Sequence, residues 1–582
     1  MSRFLNRKSI ACVLVAFALV GAFLGSVAFR GATHAAASPP PPNFPKSGPG
    51  LGAFCSSLGK TIQASSAAHL ACTSPGSVQS FNKNKKGTSN NKFGSNVNAA
   101  NPQEDMTPSG VQVYGQSEVS IASEGQYVVE AWNDATGFFY PDCSSPQFKE
   151  ELTGYGFSSN GGKSFVDEGG LPNAFCTAGY KYYGDPSVEV YKVGGNTYFY
   201  ISSLYLNSTT GDSFIAMDAC PVSGSSISCT GPYFIAHGGP GDFLDKDFLT
   251  IDPIRARLYN SYTRFGSTIA TANGQIELAV CDLSTPSAPT CYPGFSPTPY
   301  LVVQPGDANC ENEGAYPAAD VKTGDVYVAW EYNWATNYIN CTAVPTAERV
   351  AYVPFACLTL TPVSPCATTP LQNHVNIHSI DLAFIPGFNR NPTGSPANDF
   401  PRIAVSDQYG TVSIVWNDTR YHPLGDILLQ SFQLVSLSYV QHDPTGAASP
   451  VRINTLANGG LHFMPALRNV DDDGDLNISF YQRNIPATDL TYVYAAIDVS
   501  PTATTTPKSN VRVTTAPSPW IDTSSDIVPN FGDYTDNYVQ AQPCTQSSPS
   551  VTPICTTQTF YVAWSDGRIG EPQPFNAQAH TN

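Results

Sequence analysis

Acidic side chains recur at one position in this 582-residue sequence, just where a short apolar strand is predicted to begin. A carboxylic acid and a carboxylate in one site can act together as general acid and general base in the hydrolysis of a bond. The candidates for that chemistry are Asp185, Asp245, Asp247, Glu313 and Asp533.

A second set of polar residues lies at the same strand starts or at the ends of the strands that follow. They could bind a ligand, since the arginine fork matches a carboxylate and the other side chains hydrogen-bond. They are Glu118, Arg264, Arg402, Arg420, His462, Tyr481, Arg483 and Arg568. Two strand ends are nearly identical, "WNDTR" and "WSDGR". Their repetition favours a structural alternative for Asp418 with Arg420 and for Asp566 with Arg568, in which each pair caps a turn and forms a local salt bridge.

These residues are carried by a pair of strands that recurs seven times. The second strands of the aligned pairs end near Trp132, Ile201, Tyr262, Trp330, Trp416, Phe480 and Trp564. The repeat length suits one four-stranded antiparallel sheet per unit, and radial repetition of such sheets gives a β-propeller. We therefore predict an all-β propeller of seven blades, or six if the second or third unit is an irregular insertion. The segment "GVQVYG" at 110–115 is predicted to supply the strand that closes the ring.

The N-terminal region is predicted to lie outside the propeller. Arg3, Arg7 and Lys8 precede an uncharged, mostly apolar run at 10–29, and small residues follow. This pattern is typical of a secretory signal peptide or of an uncleaved membrane anchor over 1–37. Residues 38–110 are rich in Pro, Gly and Asn, which predicts a stalk with a small segment closed by Cys55 and Cys72. The propeller is assigned to 111–582, secreted or at the cell surface, and is expected to act as a monomer.

The cysteines agree with export. Cys12 lies in the leader, and the other fourteen of the 15 cysteines form close neighbours along the chain. An even number in an exported chain indicates disulfides. The expected pairs are Cys55–Cys72, Cys143–Cys176, Cys220–Cys229, Cys281–Cys291, Cys310–Cys341, Cys357–Cys366 and Cys544–Cys555.

No cofactor is expected, because the sequence has no Cys-x-x-Cys pair and only 9 histidines. A calcium site is the remaining possibility. The segment "NVDDDGDLN" at 469–477 resembles a calcium loop, with Asp471, Asp473 and Asp475 as candidate ligands, but its twelfth position is Phe480 rather than Glu. The formal net charge of −17 argues against nucleic acid as a partner.

Several segments resemble one family. They are "SIASEGQYVVEAWND", "DPSV", "YVAWSDGR" and the turn "GFSSNGGKSF", in which Ser158, Gly162 and Phe165 match the Asp-box pattern and Asn160 replaces its Asp. Over about 111–580 the chain resembles bacterial secreted sialidase-like proteins with BNR/Asp-box repeats. The resemblance implies a propeller fold. Sialidases of this kind use three arginines, a Tyr–Glu nucleophile pair and an Asp acid/base. The first unit here has no arginine, and "FPRIA" at 400–404 in the fifth unit is the nearest match to the expected motif.

The sequence therefore predicts an exported sialidase-like propeller that binds an extracellular glycan or peptide on its central face. One alternative is a glycoside hydrolase of exo-sialidase type, with the acidic residues above as acid and base. Another is a structural module of the cell surface, in which the charged ring only stabilises the fold.

Overall fold

The computed structural model describes residues 92–105, 115–139, 151–239, 241–266, 274–306, 311–334, 347–360, 377–378, 400–418, 421–422, 425–455, 460–484, 490–507, 509–519, 534–540, 558–569 and 572–581. They form seven antiparallel sheets, each with an inner, a second, a third and an outer strand, and three short 3-10 helices. The protein is a seven-bladed β-propeller, which confirms the predicted fold class and removes the six-bladed alternative.

Each blade runs from an inner strand to an outer strand. The inner strands are Gln116–Glu124, Ser187–Val193, Asp242–Asp252, Glu311–Ala319, Arg402–Ser406, Leu461–Ala466 and Asp536–Gln540. The second strands are Tyr127–Asp134, Asn196–Asn207, Arg257–Gly266, Val326–Trp334, Thr411–Asp418, Leu476–Asn484 and Gln558–Asp566. The third strands are Thr153–Ser158, Ser213–Ser223, Gln275–Asp282, Ala347–Val353, Asp426–Gln433, Leu490–Val499 and Gln573–Thr581.

The outer strands are shorter and less regular. They are Val166–Gly170, Thr230–His237, Thr290–Tyr292 with Leu301–Gln304, Ile377–His378, Val451–Arg452, Val511–Arg512 with Ser518–Pro519, and Val97–Asn98. Blade two also carries the strands Tyr180–Tyr182 and Ser226–Ile227. The 3-10 helices are Ala135–Phe139, Cys176–Ala178 and Phe355–Cys357.

The second strands are apolar almost throughout because both of their faces are covered by neighbouring blades. Trp132, Trp330, Trp416 and Trp564 are all fully or almost fully buried near the ends of these strands. Each strand thus contributes to the two cores on either side of it, as the buried clusters between successive blades illustrate. The recurring aromatic residue in the sequence marks this interblade packing.

The ring closes through the N-terminal segment, but not through the one predicted. Val97–Asn98 pairs antiparallel with Gln573–Thr581 and completes blade seven. Phe93 packs against Phe560 in the same core, and the Asn96 side chain hydrogen-bonds to blade six at Val513 and Thr515. The segment 110–115 is described only at Gly115. The closing strand was missed because it is two residues long and lies in an Asn-rich stretch without apolar alternation.

Two of the predicted disulfides are present, Cys220–Cys229 and Cys281–Cys291. Cys281 and Cys291 are directly paired residues of neighbouring strands in blade three, and Cys220–Cys229 joins the third strand of blade two to the residue just before its outer strand. Cys176 and Cys357 are also disulfide-bonded. The other predicted members lie outside the described residues, namely Cys55, Cys72, Cys143, Cys310, Cys341, Cys366, Cys544 and Cys555.

The predicted leader and most of the predicted stalk also lie outside the described residues. In the part of the chain that is described, no helix has the length and apolar character needed to span a membrane.

Candidate functional site

An irregularity at the start of the inner strands builds the site. Because successive strands are antiparallel, the starts of the inner strands and the ends of the second strands share one face, which we call the top face. In five blades, a residue near the start of the inner strand has a positive φ. It lies two positions before the residue at which continuous pairing with the second strand begins. These residues are Glu118, Asp185, Lys246, Gly314 and Met464. Glycine adopts this conformation without a steric cost, as at Gly314, whereas other residues do so at a cost.

Three consecutive blades place a charged residue in this strained position, and these three residues meet. Lys246 Nζ lies 2.6 Å from Asp185 Oδ2 and 3.8 Å from Glu118 Oε1. Asp245 and Glu313 also act on the Lys246 charge. We call Glu118, Asp185, Asp245 and Glu313, together with Lys246, the axial cluster. Glu118, Asp185 and Lys246 are buried. The strained backbone therefore occurs at three buried, charged residues.

Asn133, at the end of the second strand of blade one, fixes two members of the axial cluster. Its Nδ2 donates to Glu118 Oε2 at 2.8 Å and to Asp185 Oδ1 at 3.4 Å. Its Oδ1 accepts a hydrogen bond from the Asp185 amide at 2.5 Å. A Cβ added to Gly184 would lie 2.7 Å from the same Oδ1. The Asn133 amide therefore sets both the backbone and the carboxylate of Asp185.

The axial cluster pushes the pKa values of two neighbouring carboxyls in opposite directions. Burial raises the pKa of Asp245 to about 6, and the adjacent Asp185 carboxylate adds to this increase. Burial would also raise the pKa of Asp185, but the Lys246 charge and several hydrogen bonds outweigh it and hold that pKa below its ordinary value. Burial lowers the pKa of Lys246, yet the surrounding carboxylates raise it more, so the amine stays protonated.

Aromatic rings lie beside the axial cluster on the propeller axis. The Tyr534 ring lies 6.0 Å from Lys246 Nζ, and its hydroxyl donates to the Pro186 carbonyl at 3.0 Å. The Arg402 guanidinium lies 4.8 Å from the ring centroids of Phe248 and Tyr316 and 5.6 Å from that of Tyr534. Arg402 is thus buried in an aromatic cage, where burial lowers its pKa.

Arg468 joins four blades at the axis. It forms an ion pair with Asp536 at 2.5 Å and with Glu189 at 3.3 Å, and it donates to Ser120 Oγ at 3.1 Å. Its fourth partner is the Val188 carbonyl. All of these partners are protein groups, so Arg468 stabilises the inner ring rather than offering a free donor set.

Of the predicted catalytic residues, Asp185, Asp245 and Glu313 come together in the axial cluster. Asp247 has other hydrogen-bond partners than the axial cluster, since it accepts hydrogen bonds from Ser202 and Asn260. Burial raises the pKa of Asp247 to about 7. Asp533 lies outside the described residues.

Of the predicted ligand-binding residues, Glu118 belongs to the axial cluster and Arg402 to the neighbouring cage. Arg264 is held within blade three by Glu277 at 2.6 Å and Asp242 at 3.1 Å. Arg568 pairs with Asp566, which also accepts a hydrogen bond from Trp564. This agrees with the structural alternative for the "WSDGR" strand end.

The remaining predicted binding residues lie in blades five and six. The Tyr481 hydroxyl contacts the Ser565 backbone in blade seven, and His462 Nδ1 lies 3.1 Å from the Gly425 carbonyl. Arg483 is buried on the second strand of blade six, and Arg420 lies outside the described residues.

The calcium-loop residues form an ordinary turn. Asp471 accepts hydrogen bonds from the Asp475 amide at 2.8 Å and from Asn477 Nδ2 at 3.1 Å, and Asp475 accepts one from the Tyr409 hydroxyl at 3.0 Å. Within the described residues, no group of three or more His, Cys, Asp or Glu side chains is arranged to hold a metal ion. The third candidate, Asp473, lies in the same turn.

The Asp-box-like turn lies between the third and outer strands of blade one, on the face opposite the axial cluster. Asn160 Oδ1 accepts hydrogen bonds from the amides of Lys163 and Ser164, each at 3.1 Å. Ser158 Oγ accepts one from the Gly162 amide at 2.9 Å. The amide oxygen of Asn160 therefore performs the local role that a carboxylate would have, and the turn belongs to the fold rather than to the site.

Four residues at the axis were not predicted as site residues from the sequence: Lys246, Asn133, Tyr534 and Arg468. Lys246 had a visible signal, since it lies between two candidate acids in "DKD". The other three depend on contacts between distant blades.

No protein-family model matches this chain, and no curated protein matches it by sequence. Among solved structures, it is similar to an alpha-L-arabinofuranosidase from Fusarium graminearum in complex with an iminosugar inhibitor. The TM-score is 0.40 and the identity 11%, over 84% of this chain and 98% of the other. It is also similar to the Hadza microbial sialidase, with a TM-score of 0.36 and 10% identity over 73% of each chain. A third is a mutant Trypanosoma rangeli sialidase displaying trans-sialidase activity, with a TM-score of 0.36 and 8% identity over 82% of this chain and 74% of the other. At these levels of similarity, the function of this chain has to be inferred from its own residues.

Proposed function

We propose that the protein is an exported glycoside hydrolase whose active site is the axial cluster. The observation that carries this proposal is the pair Asp245 and Asp185, adjacent carboxyls whose pKa values are moved apart by their surroundings. Such a pair is the usual basis for assigning an acid and a base in one site. In this proposal Asp245 is the general acid, and Asp185 is the neighbouring carboxylate that helps to keep the proton on Asp245.

The reaction follows from these two roles. Asp245 donates its proton to the glycosidic oxygen as the bond between that oxygen and the anomeric carbon breaks. The Asp245 carboxylate left by this transfer then takes a proton from the water that attacks the anomeric carbon, so one water is consumed and two hydroxyl groups result. Lys246 keeps Asp185 ionised, and Asn133 orients its carboxylate.

The charge of the axial cluster favours a neutral glycan over a sialoside. Lys246 forms ion pairs with Asp185 and Glu118 and also interacts with the charges of Asp245 and Glu313, so four carboxyls lie around this one amine. A sugar carboxylate bound there would be repelled, because like charges disfavour one another at short range. Arg402, the best sequence candidate for a carboxylate-binding arginine, is enclosed by three aromatic rings. We therefore propose neutral glycans as the substrate class.

Location outside the cytoplasm is part of the proposal. The disulfides Cys220–Cys229 and Cys281–Cys291 favour an oxidising compartment, and the predicted N-terminal leader gives a route of export.

The test is the release of reducing sugar from neutral polysaccharides by the purified protein and by Asp245→Asn. We expect the substitution to reduce kcat by about 10²–10⁴-fold, the usual contribution of a general acid. The matched control is Asp282→Asn, which lies in the same blade at the opposite face, paired with Arg257 at 2.9 Å.

The control should retain full activity. If the wild type binds glycans but releases no sugar from any of them, the enzymatic proposal is wrong, and the protein is a glycan-binding receptor.

A further inference from the structure

A group of aromatic side chains lies at the outer top edge of blade two, and Phe295 of this group comes from the segment between the two outer strands of blade three. Phe234 lies 5.8 Å from Phe175 and 5.0 Å from Phe295, measured between ring centroids. We call these three residues the aromatic platform. Tyr180, Phe214 and His237 pack behind it, with Phe214 stacked on His237 at 4.2 Å.

Two of the three platform rings are exposed to solvent. Phe175 is 42% exposed and Phe295 is 56% exposed. A single exposed apolar side chain needs no explanation, but a contiguous group of exposed rings indicates a binding surface. The platform carries no charge, so its ligand must offer an apolar face.

The platform is held in place by the backbone. The Gly294 amide donates to the Ile235 carbonyl at 3.0 Å, and His237 Nδ1 lies 3.1 Å from the Phe295 carbonyl. The Phe175 amide donates to Asn173 Oδ1 at 3.2 Å, and the disulfide-bonded Cys176 follows. Rings that are already ordered bind a ligand with little further loss of entropy.

The platform faces the same way as the axial cluster. Phe214 lies at the start of the third strand of blade two, and Phe234 lies near the end of its outer strand. In an antiparallel blade, these strand ends lie on the face where the inner strand begins. The inner strand of blade two begins just after Asp185, so this is the top face. Three strand spacings of about 4.8 Å separate the inner and outer strands, so the two sites are about 14 Å apart along the blade.

We propose that the aromatic platform is a distal sugar-binding subsite for a neutral glycan chain that extends outward from the axial cluster. The axial C–H groups of a sugar ring form an apolar face that stacks on an aromatic ring, while its hydroxyls remain in water. This inference rests on the proposed glycan-hydrolysing function, and it adds that the substrate is a chain of several sugars rather than a single residue.

The test compares the double substitution Phe175→Ala/Phe295→Ala with the wild type by affinity electrophoresis in soluble arabinan, xylan and mannan. We expect binding of the recognised polymer to weaken by about tenfold, and the KM for that polymer to rise similarly. Hydrolysis of a nitrophenyl monoglycoside should not change. The variant Phe295→Trp should retain binding. The matched control is Ile254→Ala, which removes a 70% exposed apolar side chain from a turn on the opposite face.

The outcomes separate this inference from the proposed function. Polymer binding that depends on the two phenylalanines without any hydrolysis supports the subsite and contradicts the hydrolase. Hydrolysis with unchanged polymer binding in the double variant contradicts the subsite alone. The subsite is also wrong if the wild type binds none of the polymers, or if the double variant loses binding to phosphatidylcholine vesicles instead.

Discussion

At the scale of single residues, Lys246 holds the proposed site together. It is buried, its backbone has a positive φ of 49°, and it contacts carboxylates from two other blades. A buried ion pair is expensive to break, because removing one partner leaves the other charge without compensation.

We expect Lys246→Met to lower the free energy of unfolding by about 3–5 kcal/mol, because Asp185 and Glu118 would remain buried without a cation. Equilibrium urea denaturation measures this. The control is Lys192→Met, which removes an ion pair with Glu124 from a side chain that is 56% exposed and should cost less than about 1 kcal/mol. Equal losses in the two variants would show that the ion pairs of Lys246 stabilise the fold no more than an exposed surface ion pair.

The sequence predicted on which face these residues lie, but it did not predict which of them contact one another. The recurrence of acids at strand starts was enough to bring Glu118, Asp185, Asp245 and Glu313 to one face, since a repeat fixes the face on which a position lies. Which of those acids meet depends on the irregularity at the start of the inner strands, and a one-residue change in register would redirect the side chains. Arg264 was predicted to bind a ligand because it lies at the end of a second strand. Its ion pair with Glu277 was not predicted, since Glu277 lies on the next strand and is not a repeated residue.

At the scale of elements, the predicted strand pairs are present in all seven blades. The aligned residues from Trp132 to Trp564 all lie in second strands, because a strand packed on both faces has a strong apolar signal. The closing strand Val97–Asn98 has no such signal, and its position is decided by the shape of the remaining edge of blade seven.

We expect Phe93→Ala to destabilise the propeller by about 3–5 kcal/mol, the usual cost of removing a buried phenylalanine ring. Phe93 is 4% exposed and packs on Phe560, beside the strand that closes the ring. Thermal unfolding monitored by tryptophan fluorescence measures the change. A melting temperature equal to that of the wild type would mean that the segment before Val97 does not close the ring.

At the scale of the whole molecule, several carboxyls are buried and hydrogen-bonded to neutral side chains. Burial raises the pKa of Glu130 to about 8, against a hydrogen bond from Asn576, and raises that of Asp218 to about 8, against one from Tyr182. Asp247 follows the same pattern. In the unfolded chain these groups have ordinary pKa values near 4, so between pH 4 and 8 the folded state binds more protons. Their contribution to stability is therefore complete below about pH 4 and is lost as the pH rises through the folded values.

We expect the stability to increase from pH 8 to pH 5, and Glu130→Gln to make this dependence shallower by about 1.4 kcal/mol per pH unit, the slope for one proton. Urea denaturation at several pH values measures it. Asp282→Asn, which changes a partly exposed ion-paired carboxylate, should leave the slope unchanged. A Glu130→Gln slope identical to that of the wild type would contradict a protonated Glu130 in the folded state.

The central claim is that Asp245 protonates the leaving group in a hydrolysis carried out at the axial cluster. The most direct measurement is kcat/KM of the wild type and Asp245→Asn on two glycosides of the same sugar, one with a dinitrophenyl leaving group and one with an alkyl leaving group. A dinitrophenolate leaves without help from an acid, so we predict that the substitution greatly slows the alkyl glycoside and slows the dinitrophenyl glycoside little. In the wild type, the alkyl reaction should also decline as the pH rises above about 6, where Asp245 loses its proton. Equal loss on both glycosides, or no hydrolysis of either by the wild type, would contradict the claim.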